Sequence, residues 1–191
     1  MKKLILASAS PGRKEALEKA GFQFEIIPSN YEEDMNQNLS PEDLVRVLSQ
    51  GKARDVASKV KEGIVIGADT VGVFDGKVLG KPHTEEKNIE MLQELSGKSH
   101  SMLTGLTLID SETGKEISRV VETKIWFKNL SLEEIENYVK TGEALQKAGG
   151  YAFQGIGRNL VNRVEGSETN IIGMPVETLQ EMLTKLGFAI L

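Results

Sequence analysis

The sequence predicts an α/β protein with a mixed, partly antiparallel sheet and flanking helices. Three features carry that expectation. Short apolar runs alternate with capped helical segments in the first third of the chain, the pattern of an α/β sheet. An Asp75-Gly76 pair then sits between two alternating runs, the strongest short-range hairpin signal. Two longer strand-like segments, 99–110 and 115–128, meet at the turn "SETG" and add antiparallel strands in the middle.

Taken in order, "KKLILAS" reads as a buried strand. Ser10 suits an N-cap and Pro11 the first helical position, with Ala16, Leu17 and Ala20 on one face and Gly21 as the stop. "FQFEIIP" alternates as a strand, and the polar "SNYEEDMNQNL" is a loop. "SPED" opens a long helix, Ser40 capping and Pro41 first, through Leu44, Val47, Leu48 and Val56 to about Val60. "GIVIGAD" is a second buried strand ending in Asp69, followed by "TVGVFDGKVLG" as the hairpin. Thr84 caps a helix that turns Ile89, Leu92 and Leu95 inward. Ser131 and Glu134 form a capping box for a helix to about Lys140. "TGEALQKAGGYAFQGIG" is a glycine-punctuated loop, "NLVNRVEG" a strand and "MPVETLQEMLTKLG" the closing helix.

The bulk properties narrow the function. A chain of 191 residues fits one domain, or one domain with two lobes. Its net charge is −5, and no Lys/Arg cluster reaches the roughly 5–8 residues of a basic patch, which argues against a nucleic-acid coating protein. A small anionic substrate needs only a few placed cations. With no cysteine, disulfides, thiolate catalysis and Cys-based zinc sites are excluded, and His83 and His100 are too few for a multi-His metal site. No apolar run approaches the ~20 residues of a membrane span. The apolar part of "MKKLILASAS" is shorter than the ~7–15 residues of a signal peptide, so a cytoplasmic protein is expected.

Five stretches could carry chemistry. In "LASASPGRKEAL" a strand, a turn and a helix N-terminus aim the backbone N–H groups of residues 10–13 where an anion is favoured. Ser8 adds a hydroxyl, and Arg13 and Lys14 add charge. The alternative there is a well-capped helix with solvated cations. In "IVIGADTV", Asp69 after a buried strand is expected at the carboxyl edge of the sheet, where open α/β folds bind ligands, with Thr70 beside it. In "NYEEDM", Glu32, Glu33 and Asp34 form either a solvated face or a source of one hard oxygen ligand, joining Asp69 on Mg²⁺ or Mn²⁺. In "GKPH", Lys81 is constrained between Gly80 and Pro82 and can neutralise a phosphate; Lys52 in "QGKARDVA" is ordinary on a helix surface. In "KAGGYAFQGIG", glycines let backbone approach a flat ligand, Tyr151 and Phe153 can pack, and Gln154 can read a base edge.

In this order the stretches resemble the Maf family of nucleoside triphosphate pyrophosphatases. "LASASPGR" is similar to its leading motif, "YEEDM" to its acidic loop, "LSQGKARDVA" to its lysine-bearing helix and "IGADTV" to its ADT motif. "LGKPHT", "LSGKSHSMLTG", "YVKTGEALQKAGGYAFQGIG" and "NIIGMPVETL" follow. The resemblance implies two lobes around a cleft, related to inosine triphosphate pyrophosphatases, and members that are often dimers. It implies metal-dependent hydrolysis of a nucleoside triphosphate to the monophosphate and pyrophosphate. Asp69 matches the proton acceptor for the attacking water; Ser8, Arg13, Lys52 and Lys81 match polar and cationic cleft residues; Glu33 matches the acidic-loop glutamate. Three positions that separate the branches match Gly12, Thr70 and Gln154. Thr70 and Gln154 resemble the branch acting on dTTP and UTP, which usually carries arginine where this chain has Gly12. The competing expectations are the same chemistry on 7-methyl-GTP or non-standard purine triphosphates, and a non-catalytic nucleotide-binding regulator of cell division.

Overall fold

The computed structural model describes residues 2–34 and 38–188. Among the described residues, seven strands form one mixed sheet in the order β2-β1-β3-β5-β6-β7, with β4 pairing β3. They are β1 (Leu4–Leu6), β2 (Phe24–Ile26), β3 (Ile64–Phe74), β4 (Lys77–Leu79), β5 (Ser99–Asp110), β6 (Glu116–Phe127) and β7 (Val161–Glu165). The helices are α1 (Pro11–Lys19), α2 (Pro41–Ala57), α3 (Glu85–Leu95), α4 (Leu132–Val139), α5 (Glu168–Ile171) and α6 (Val176–Lys185). The expected α/β class with a mixed sheet is what folds.

Two compact units divide the chain. The first comprises Met1–Thr70, Leu103–Val121 and Ser167–Leu191; the second comprises Val71–Met102 and Glu122–Gly166. The long strands β3, β5 and β6 contribute to both.

In the first unit the sheet is apolar on both faces. β1 pairs in parallel with β2 and β3, Leu4 opposite Phe24 and Ile64. Alternation sends Leu4, Leu6, Ile64, Ile66 and Ala68 into a core with Leu17 of α1 and Leu179, Met182 and Leu183 of α6. Ile5, Ala7 and Val65 go the other way, onto Ala53 and Val56 of α2. Leu6, Leu17 and Ile66 are fully buried, each contributing roughly 1.5–3 kcal/mol over exposure.

The helix ends follow local chemistry. Ser10 and Ser40 cap α1 and α2, each accepting from the N–H three residues on, with Pro11 and Pro41 at the first helical position. Gly21, at φ 79°, closes α1: its N–H bonds to Glu18 O and Phe22 N–H to Leu17 O, the paired arrangement of a Schellman motif. Gly187 closes α6 in the same way, with Phe188 N–H on Leu183 O. The Ser131–Glu134 capping box is present at α4. Helix α2 stops at Ala57, short of the expected Val60, because Lys59 and Val60 tighten onto the carbonyls of Val56 and Ala57.

Two expectations need correction. The strand expected to end at Asp69 runs unbroken to Phe74, and only its last residues enter the hairpin, Phe74 opposite Lys77 across Asp75 (φ 48°) and Gly76 (φ 74°). Asp69 therefore lies within a strand. It is the end of β1 at Leu6, paired no further than Ile66, that makes the sheet edge there. In α3 the innermost face is Asn88, Leu92 and Leu95, while Ile89 is only half-buried on its flank.

The glycine-rich stretch of the second unit is an ordered structure. Glu143 accepts from Tyr138 Oη (2.9 Å), Ile156 N–H (2.9 Å) and Gly157 N–H (3.1 Å), so one carboxylate caps the 3₁₀ turn Ile156–Leu160. A Cβ on Gly155 would stand 1.8 Å from Glu143 Oε1. Tyr151 is buried, its hydroxyl 2.9 Å from His100 Nε2, and the two rings pack edge-on with Phe127. Burial lowers the His100 pKa to about 4, so this imidazole is neutral at physiological pH. Phe153 lies under the Arg158 guanidinium, 4.4 Å away. The glycine at 155 and the aromatics thus serve the loop's own packing, and the ligand contact expected of them is not needed to explain them.

Candidate active site

The site in the first unit begins with how closely α2 lies on the sheet. A Cβ on Gly67 of β3 would come within 2.4 Å of Ser49 O, and one on Gly105 of β5 within 2.0 Å of Val45 O. Two glycines on neighbouring strands let the α2 backbone approach without side chains between. One helical turn after Ser49, Lys52 is thereby brought onto the face of β3 that carries Val65, Gly67 and Asp69. Its ammonium donates to Asp69 Oδ1 at 2.5 Å and pairs with Glu33 Oε1 at 2.7 Å. The lysine read as ordinary in the sequence is buried, at 9% exposure, and bridges two carboxylates.

Glu33 reaches that lysine because α2 pins the acidic loop. Asp55 accepts from Asn30 N–H (2.8 Å) and Ser29 Oγ (3.0 Å), and Ser29 Oγ accepts from Tyr31 N–H. The Tyr31 ring lies across Gly51, where a Cβ would stand 2.3 Å from Cζ. Sequence reasoning missed Tyr31, Gly51 and Asp55. The one available signal was a glycine inside a long helix, which costs about 1 kcal/mol against alanine unless something packs there. Gly51→Ala is expected to strengthen the helix locally yet expel the Tyr31 ring and misplace Glu33. Activity should fall while circular dichroism stays helical; unchanged kinetics would dissociate loop placement from function. Residues 35–37 of the acidic stretch lie outside the described residues.

Burial pushes the Asp69 carboxyl above the ordinary aspartate pKa; Lys52 and then Arg13 pull it back, and Glu33 adds to the rise. The net shift is upward. Two carboxylates meeting at one ammonium are hard oxygen donors suited to Mg²⁺ or Mn²⁺, which usually take one or two protein carboxylates and complete their shell with water and phosphate oxygens. Among the described residues no group of three or more His, Asp or Glu is placed to hold a metal ion, so the fit is to that open kind of site and not to a closed protein cage.

On the other face, Ser8 Oγ accepts from Arg13 Nη1 (3.1 Å) and Ser10 N–H (3.2 Å), while Arg13 Nε donates to Gly173 O (3.1 Å). The expected row of free N–H groups at residues 10–13 is shorter than anticipated. Pro11 has none, Ser10 N–H is spent on Ser8, and Arg13 N–H goes to its cap. Gly12 adds no side chain to this turn. Burial lowers the Arg13 pKa against support from Asp69 and Glu33, and the guanidinium stays charged. Thr70 faces this side, its Oγ1 2.9 Å from Thr104 Oγ1. A Cβ on Gly173 (φ 93°) would stand 2.8 Å from Thr70 Oγ1 and 3.3 Å from Arg13 Nε. Thr104 and Gly173 were also missed in the sequence.

Ser8, Arg13, Glu33, Lys52, Asp69 and Thr70 therefore belong to the first unit and are linked by the contacts above, with Gly12 in the same turn. Lys81 and Gln154 belong to the second unit and are exposed. The segment that carries Lys81 is held by Gly149 N–H on Gly80 O and His83 N–H on Leu145 O, with His83 in the left-handed region at φ 62°. No helix among the described residues is long and apolar enough to cross a membrane.

The family model described as "Maf-like protein" matches residues 3–186. A dTTP/UTP pyrophosphatase of Methanosarcina mazei is 46% identical over 191 residues, all of this chain and 97% of its own. One from Ruminiclostridium cellulolyticum is 44% identical over 188 residues, covering 98% of this chain and 97% of its own. One from Carboxydothermus hydrogenoformans is 45% identical over 186 residues, covering 97% of this chain and all of its own.

Proposed function

The chain belongs to the Maf family, and on that premise we propose that it is a nucleoside triphosphate pyrophosphatase acting on dTTP and UTP. One observation supports this above the others: Lys52 gathers Asp69 and Glu33 at one point, and Arg13, which the two acids support electrostatically, is held by Ser8 and Gly173. In the reaction, water adds at one phosphorus of the bridge between the α- and β-phosphates. The bridging P–O bond breaks, giving the nucleoside monophosphate and pyrophosphate. Asp69 takes the water's proton, and its raised pKa makes it a better acceptor than a surface aspartate. Arg13 and Lys52 place positive charge beside the oxygens on which negative charge grows, and Ser8 holds the guanidinium in position. Glu33 and Asp69 would hold a magnesium or manganese ion, which supplies charge neutralisation on the phosphates.

Lys81 and Gln154 keep the phosphate and base roles that family likeness assigns them, and the cytoplasm and a homodimer remain the expected setting. The test is pyrophosphate release from dTTP, UTP, CTP, ITP and 7-methyl-GTP with Mg²⁺ or Mn²⁺. dTTP and UTP are expected to lead the panel. Binding of nucleotide with no turnover of any would transfer the reading to a nucleotide-binding regulator. Gly12→Arg is expected to sharpen the preference for pyrimidine triphosphates, since a planar guanidinium can stack or hydrogen-bond where this chain offers no side chain. Selectivity identical to the parent's would refute that role for position 12.

A further inference from the structure

Thr104, on β5, is fully buried, and its hydroxyl has two oxygen neighbours. It stands 2.9 Å from Thr70 Oγ1 and 3.3 Å from the carbonyl oxygen of Asn170. A carbonyl only accepts, so the single hydroxyl proton of Thr104 goes to Asn170. With Thr104 donating to Asn170 O, the proton between the two threonines, a contact that fits either donor, comes from Thr70. The acceptor is itself fixed: Gly173 N–H also bonds Asn170 O at 2.9 Å, and Asn170 Nδ2 donates to Val121 O at 3.2 Å. With its proton spent on Thr104, Thr70 has only lone pairs left for a ligand.

We propose that Thr104 is a specificity-positioning residue, which takes the Thr70 proton and so makes Thr70 select a nucleobase presenting an N–H donor. The ring imide of uracil or thymine offers such a donor. Cytosine carries a lone pair at the same ring nitrogen, and two lone pairs facing each other leave a desolvated acceptor unpaired on each side. A freely turning threonine hydroxyl would accept from one base and donate to the other, with little discrimination. The inference rests on the reading of this chain as a dTTP/UTP pyrophosphatase in which Thr70, one of the positions that separate the family's branches, meets the base.

The experiment compares kcat/KM for UTP and CTP, with Mg²⁺, in the parent, Thr104→Val, Thr104→Ser and Thr70→Val, each with a thermal melt. The parent is expected to prefer UTP. Thr104→Val removes the proton acceptor at nearly constant shape, frees the Thr70 hydroxyl to turn, and should lower the UTP/CTP ratio about tenfold or more. Thr104→Ser keeps the hydroxyl and should keep the ratio even if its Tm falls. Thr70→Val should erase the preference, and adding Thr104→Val to it should change the ratio no further. Thr104→Ala, which cannot overpack, carries the same test if the valine variant fails to fold. A ratio in Thr104→Val equal to the parent's, or an equal fall in Thr104→Ser, overturns the inference while leaving the pyrophosphatase reading intact. A parent that turns over neither nucleotide overturns both.

Discussion

Asp69→Asn is expected to lower pyrophosphate release by about 10³-fold, within the range for removal of a positioned general base, without lowering the Tm. The two halves of this result come from one environment. Burial penalises the charged carboxylate more than Lys52 and Arg13 support it, so its pKa is raised in the fold. A group whose folded pKa lies above its unfolded value contributes most stability at low pH, and that contribution is lost as pH rises through the folded pKa. Above its folded pKa the ionised carboxylate is therefore a burden to the fold. An amide of the same shape removes the charge, and its oxygen can still accept from Lys52, which also retains Glu33. Steady-state kinetics beside differential scanning calorimetry checks both halves. A variant that loses activity together with several degrees of Tm would show that Asp69 is structural.

Lys52→Met should be destabilising as well as inactive. The methionine fills the space between α2 and β3 but leaves Asp69 and Glu33 facing each other without their shared cation. Breaking a buried pair by removing one partner costs about 3–5 kcal/mol. Lys52 is the largest of the influences that lower the Asp69 pKa, so its loss drives that pKa further up. The sign follows: the stability deficit against the parent is small in acid, where Asp69 is protonated in both, and opens as pH rises through its folded pKa. A carbon-detected NMR titration of metal-free protein should place Asp69 above the ordinary range near 3.9 in the parent, and higher again in Lys52→Met. An unmoved Asp69 titration would mean that the lysine does not set its charge. Arg13→Lys is a useful contrast, because a single ammonium cannot hold Ser8 Oγ and Gly173 O in the fork geometry of the guanidinium.

Much of the fold was legible from neighbouring residues. Ser10 and Pro11, Ser40 and Pro41, Asp75-Gly76 and the Ser131–Glu134 box each act within a few positions of themselves, and each stands where the sequence placed it. The candidate site was legible as residue types: an acid after an apolar run, a cation in a helix, a serine and arginine around a proline turn. Its partners were not. Nothing local marks Lys52 as different from Arg46 or Arg54, the other cations of α2. It becomes special because Gly67 and Gly105, fifteen and fifty-three positions away, admit the helix backbone to the sheet.

The same division separates Asp69 from Thr70. Adjacent in sequence, they project to opposite faces of β3, one toward α2 and its acid-bridging lysine, the other toward Thr104 and Gly173. Chain order and residue chemistry established the elements, the caps, the turns and the set of groups able to handle a phosphate, because those depend on short-range sterics and on what each side chain can donate or accept. Packing decided which acids Lys52 bridges, which hydroxyl Thr70 meets, and that the glycine beside Glu143 makes room for a carboxylate. Those outcomes depend on long-range contacts and burial, and both exist only once distant strands and helices have closed on one another.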